Sequence, residues 1–234
     1  MSVNTKRISI FVVKEMANFM QVDLRFEITN ITTMPRIEVE KMLNVFLLRK
    51  KRGYSQFELS FLMGQRDFYV RDAEDPTHTL IYSVPFNNIF REIFDCSIEQ
   101  IVPDITQIDY TIQISVARNE SAPVVYKAEK FFKDGRTELL GDLSAERKDV
   151  LLQSPSIISE QSVKDWVFHQ ISTGYFNENK NALQILKDYE KELGSTIRPL
   201  FLANALKACK GTKGTPKLTS KKDENGRFVY QKSS

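Results

Sequence analysis

The side chains best suited to catalysis are few and scattered along this chain. Two histidines, His78 and His169, stand apart from the two cysteines, Cys96 and Cys209, and no CxxC or CxxH spacing joins any of them. A zinc site needs several such ligands converging, so neither histidine reads as a metal ligand. Two distant cysteines argue for a reducing compartment rather than a disulfide framework. The sequence contains no GxSxG, P-loop, HExxH or GxGxxG. Asp134 and Glu138 fall on a β-rich stretch where carboxylates are solvated by default, and the serine-rich SPSIISEQS reads as linker and helix cap. The expectation is no catalytic residue, no metal and no cofactor, and hence no enzyme.

The chemistry that the sequence does offer is cationic. The formal charge of +3 hides a segregation. Residues 1–34, 35–102, 103–160 and 161–195 carry +1, −1, −3 and −1, whereas residues 196–234 carry +7 from 9 basic and 2 acidic side chains. A basic excess concentrated at one end points to a polyanionic partner. An apolar fraction of 41% is ordinary for a globular protein. No apolar run approaches the roughly 18 residues that span a bilayer. The start has Lys6 and Arg7 before a short apolar patch, but Lys14 and Glu15 interrupt it and no small-residue cleavage site follows, so it does not read as a signal peptide. The expected location is the cytoplasm, with no membrane partner.

These side chains need positioning, and the hydrophobic period changes several times along the chain. The pattern divides it into a 1–34 extension, a β-type or dimerisation segment; helical elements over 35–103; a β meander over 104–143; a linker or helix over 144–158; and a basic module over 159–234. The fold class expected is α+β and mainly helical. Within 35–103, Gly53, Gly64 and Pro76 punctuate short segments. IDYTIQISVA, PVVYKAEKFF and TELLGDL alternate like strands. In the last module three helical patterns precede two short strand-like pieces around Asn225-Gly226, a two-residue hairpin signal. Gly194 closes the second helix, Thr196 is the expected cap of the third, and Pro199 sits in its first turn.

Arg49, Gly53, Ser55-Gln56, Glu58-Leu59, Gly64, Tyr69-Val70, Ala73-Glu74 and the closing DCSIEQIVP fall in an order that resembles the lambda-repressor-like (Xre-type) helix-turn-helix family, over about residues 39–102. The resemblance implies a five-helix-type domain in which Ser55 caps the first helix of the motif, Gly64 makes the turn, and Val70 and Ala73 pack the reading helix back. That helix would begin near Gln65, setting Gln65, Arg66, Asp67, Phe68 and Arg71 toward base edges, with Gln56 on phosphate or on the reading helix. Arginine can bind guanine bidentately and aspartate can accept from cytosine. Arg49 and Glu74 match the family's buried ion pair, a structural role. From Gln65 to Asp75, however, two bases face four acids, and Phe68 and Tyr69 replace small polar residues.

The order of three helices and a hairpin over about 158–232 resembles the winged-helix class. By that resemblance Arg198, Asn204, Lys207 and Lys210 would line the third helix in the major groove. Lys213, Lys217, Lys221, Lys222, Arg227 and Lys232 would lie along phosphates. The expected function is therefore sequence-specific binding of double-stranded DNA by a transcriptional regulator, acting as a homodimer. The rival is a protein-interaction module (adaptor, antitoxin or accessory subunit) whose acidic, aromatic reading helix docks a protein partner.

Overall fold

The computed structural model describes residues 26–27, 35–76, 78–104, 106, 110–119, 122–144, 158–210 and 218–233. Nearly all of the expected 1–34 extension and 144–158 linker, with Lys213 and Lys217, lie outside them. The fold is mixed α and β and mainly helical, with seven α-helices and seven strands among the described residues.

Helix α1 (Arg36–Arg52) buries Val39, Met42, Leu43, Phe46 and Arg49, which recur at helical spacing. Gly53, at φ 71°, ends it in the left-handed conformation that glycine adopts freely. Ser55 and Glu58 then form a capping box on α2 (Gln56–Leu62): Ser55 Oγ accepts from the Glu58 amide, and Glu58 Oε2 accepts from Ser55 N at 2.8 Å. Helix α3 (Tyr69–Glu74) starts four residues later than the sequence led us to expect. The Gln65 amide still bonds back to the Ser60 carbonyl and the Tyr69 amide to the Arg66 carbonyl, both at 2.9 Å, so a turn at residues 67–68 leads into the helix. Ser60 Oγ accepts from Val70 N at 2.9 Å, which satisfies an α3 amide and ties the two helices together. The connector to α4 (Phe86–Phe94) passes through the core: Tyr82 is buried edge-on against Phe90, 5.0 Å between ring centroids, and Lys41 Nζ donates to its carbonyl. Pro85 sits at the N-terminal cap of α4, where its missing N–H costs little. A 3-10 turn, Ile98–Gln100, closes the module.

Strands β2 (Tyr110–Asn119), β3 (Ala122–Phe132) and β4 (Thr137–Ser144) form an antiparallel meander, and β1 (Phe26–Glu27) pairs with β2, giving the order β1-β2-β3-β4. The sheet rests on α1. Tyr110 donates its hydroxyl to Glu40, and its ring lies 4.6 Å from the Arg36 guanidinium and 4.5 Å from Lys130 Nζ.

The C-terminal module runs α5 (Glu160–Thr173), β5 (Lys180–Asn181), α6 (Ala182–Leu193), α7 (Pro199–Ala208), β6 (Leu218–Lys222) and β7 (Phe228–Lys232). Its sheet order is β5-β7-β6, all antiparallel. Trp166 packs edge-on against Tyr175 and Tyr189 and donates from Nε1 to Glu192 at 3.0 Å. The hairpin is longer than two residues. Asp223–Arg227 form its loop, with the Asp223 carboxylate accepting from Asn225 N and Arg227 N and Gly226 at φ 73°.

Thr196 does not cap α7. A residue before proline is held extended, and Arg198 (φ −72°, ψ 127°) obeys, so the helix begins at Pro199 and the cap position falls to a side chain that cannot serve it. The cap comes from the other module instead: Glu58 Oε1 accepts from Leu200 N and from Arg198 Nη2, both at 3.3 Å. One buried carboxylate thus closes α2 with one oxygen and α7 with the other. The hairpin adds to the seam, since Phe228 N donates to Gly64 O at 2.8 Å and Arg227 Nε to Met63 O at 3.3 Å. A single buried apolar cluster runs through both modules.

Candidate nucleic-acid interface

The packing of α1 against α3 is held by one buried ion pair. Arg49 Nε and Nη2 donate to the two Glu74 oxygens at 2.7 and 2.6 Å, with both side chains sealed from solvent. Gln56 Nε2 donates to Glu74 Oε2 at 2.9 Å, so this glutamine is turned to the frame and toward α3. Glu74 closes α3, so this contact joins the start of α2 to the end of α3.

The face of α3 is arranged around Asp72. Arg66 Nη2 lies 2.6 Å from Asp72 Oδ2, and Arg71 approaches Asp72 Oδ1 through Nε at 3.0 Å and Nη2 at 2.9 Å. The Arg71 guanidinium also covers the Phe68 ring at 4.3 Å. Asp72 is 6% exposed, whereas the side chains of Arg66 and Arg71 are each 56% exposed. Burial works to raise the Asp72 pKa, but hydrogen bonds from the two guanidiniums outweigh it and hold the carboxyl below the usual carboxylate range. The four acids of this segment are accounted for differently. Asp72 and Glu74 serve arginines, Asp75 accepts from Tyr126 at 3.2 Å, and Asp67 alone faces solvent.

The C-terminal residues divide in two. Lys207, Lys210, Lys221, Lys222 and Lys232 are exposed. Lys210 donates to Ser220 at 2.6 Å and lies over the Tyr230 ring; Lys221 reaches Gln231, and Lys222 lies over Phe228. Arg198, Asn204 and Arg227 each have a partner within the protein. Arg198 is spent on Glu58, and Asn204 donates to Glu160 at 2.9 Å. Arg227 lies half-buried on Met63 O; burial works against its charge, offset in part by Asp223 and Glu92.

The two modules meet at the turn between α2 and α3. Gln65 reaches Gly226 O at 3.4 Å. Burial lowers the Lys210 pKa while the nearby Asp67 charge opposes it, and burial with the same Asp67 pushes Tyr230 up to about 12. Lys210, just after α7, and the loop of the β6–β7 hairpin therefore adjoin the residues that precede α3. Behind the seam lies a cleft of about 390 Å³ lined in part by Arg52, Tyr54, Glu58, Glu190 and Arg198.

No family model, curated protein or solved structure matches this chain.

Sequence reasoning missed the double role of Glu58 and the central role of Asp72. The Ser-x-x-Glu spacing did mark Glu58 as a capping residue. Nothing local marked its second partner, 140 positions away. In the sequence Asp72 reads only as a charge opposing DNA. No described helix is long and apolar enough to cross a membrane.

Proposed function

We propose that the protein is a cytoplasmic transcriptional regulator that binds double-stranded DNA with a composite face. Its parts are the turn before α3, with Arg66, Phe68 and Arg71, and the lysines of α7 and the β6–β7 hairpin. The observation that carries this reading is the docking of the hairpin on the helix-turn-helix turn, Phe228 N to Gly64 O at 2.8 Å. It sets the basic end of the chain beside the exposed arginines. Kinship with the Xre-type and winged-helix groups belongs to the same proposal, carried by the capped α2, the Gly64 turn, the Arg49–Glu74 pair and the β5-β7-β6 sheet.

Phosphate contacts make affinity fall with salt, by close to one unit of log–log slope for each. With five exposed lysines in the C-terminal module, binding to random duplex DNA measured by anisotropy should show a slope of about −4 to −6. Lys221→Ala with Lys222→Ala should reduce that slope by about 2 and weaken all sequences alike. Absence of binding at low salt, or a flat slope, overturns the reading. A second reading has its own observation: Phe68, Ile81 and Val84 are 56%, 40% and 75% exposed around α3, which suits a protein surface. A stable co-purifying protein together with no DNA shift would favour it.

A further inference from the structure

Asp72 is 6% exposed and gives its carboxylate to Arg66 and Arg71 beneath the surface, so it is not turned outward to accept from a base itself. Its geometry assigns it a different task. Each of its oxygens takes one arginine. Arg71 offers Asp72 its Nε–Nη2 side, which leaves the Nη1–Nη2 end of the guanidinium for another acceptor pair. Arg66 is engaged through Nη2 alone. The Phe68 ring beneath Arg71 fixes the plane of that guanidinium. Arginine carries a large rotamer entropy when free, and both are here held at a buried carboxylate while more than half of each side chain faces solvent.

Resting on the DNA-binding reading above, we propose that Asp72 is a positioning residue that presents Arg66 and Arg71 as a matched pair of guanine readers. The recognised site then carries two guanines close together. The O6 and N7 acceptors of guanine in the major groove fit the end of a guanidinium bidentately. Because both Nη2 atoms bond one carboxylate, they are at most about 8 Å apart, which spans two base steps of about 3.4 Å each. The two guanines therefore fall within three consecutive base pairs, on either strand. Asp72 also cancels one of the two charges, so the pair gains little from phosphate alone. Discrimination, rather than raw affinity, is what this cluster supplies.

The test is a selection from randomised duplexes with the purified 234-residue chain, followed by anisotropy on the selected site. The expected result is two guanines within a three-base-pair window. Replacing either guanine with 7-deazaguanine, which lacks the N7 acceptor, should weaken binding roughly tenfold. The loss at one guanine should vanish in Arg66→Ala and at the other in Arg71→Ala. Asp72→Asn keeps the shape while weakening the hold on both arginines. It should leave affinity for random DNA equal or higher and cut the preference for guanine over adenine at both positions by roughly tenfold. If Asp72→Asn does not fold, the deazaguanine series on the wild-type chain decides alone. A site without the guanine pair, no deazaguanine effect, or a folded Asp72→Asn protein with unchanged base preference overturns the inference and leaves DNA binding standing. Failure to bind any duplex at low salt overturns the DNA-binding reading itself, and this inference with it.

Discussion

Glu58 offers the sharpest test of how the two modules are joined. Its Oε2 serves Ser55 at the start of α2, and its Oε1 serves Arg198 and Leu200 at the start of α7. Glu58→Gln keeps the volume and the capping-box residue type, but the amide has only one oxygen. Whichever end accepts it, an NH2 group then faces donors at the other. At 3.3 Å and an effective dielectric constant near 20, unit charges attract by about 5 kcal/mol, and desolvation offsets most of this. Charge-assisted hydrogen bonds contribute about 1.5–3 kcal/mol each, and two long ones at 3.3 Å belong at the low end. We expect Glu58→Gln to cost about 2–3 kcal/mol and Arg198→Met about 1–2 kcal/mol. Urea midpoints of wild type, both single variants and the double variant give the coupling between the two residues. It should lie near 1–1.5 kcal/mol, and a value below about 0.3 kcal/mol would show that the seam does not depend on this carboxylate.

Three further outcomes follow from other contacts. Arg49→Met leaves Glu74 charged and buried, and should lower stability by about 3–5 kcal/mol in the same urea assay. Gly64→Ala forces an L residue to φ 68° and brings its Cβ to 3.0 Å from Arg227 Cβ. It should cost about 2 kcal/mol or more and speed tryptic cleavage after Arg227, which an unchanged cleavage rate would contradict. Burial raises the Glu190 pKa above its unfolded value, with Ile197 N and Arg52 opposing. The stability linked to this carboxyl is therefore full below the ordinary glutamate pKa and lost as pH rises through the raised folded value. Glu190→Gln should thus be more stable than wild type at pH 7, the gap closing near pH 4; a gap equal at both pH values would be a refutation.

Local order was legible in the residues. Ser55, Glu58, Gly64 and the Val70–Ala73 spacing locate the helix-turn-helix frame because capping and glycine conformations act within a few residues. Likewise Gly194 and Pro199 mark the ends of α6 and α7. Where contacts cross the molecule, the sequence was silent. Thr196 looked like a cap because the pre-proline restriction on Arg198 and the distant Glu58 carboxylate do not appear in a local window. Arg198 and Asn204 read as groove-lining residues and Arg227 as a phosphate contact, because residue type and position along the chain do not show that Glu58, Glu160 and the Met63 carbonyl face them. In the opposite sense, the acids of the reading segment looked hostile to DNA, whereas Asp72, Glu74 and Asp75 each have a partner and only Asp67 faces solvent.

Trp166, the single tryptophan of the chain, lies in the C-terminal module, between Tyr175 and Tyr189 and 7% exposed. Excitation near 295 nm therefore reports on that half of the molecule, while far-ultraviolet circular dichroism reports on every helix. The protein carries its own internal probe of whether its halves melt together. Coincident curves from the two signals would mark one cooperative unit. A Glu58 variant that separates them would reveal the seam as the element that makes the unit one.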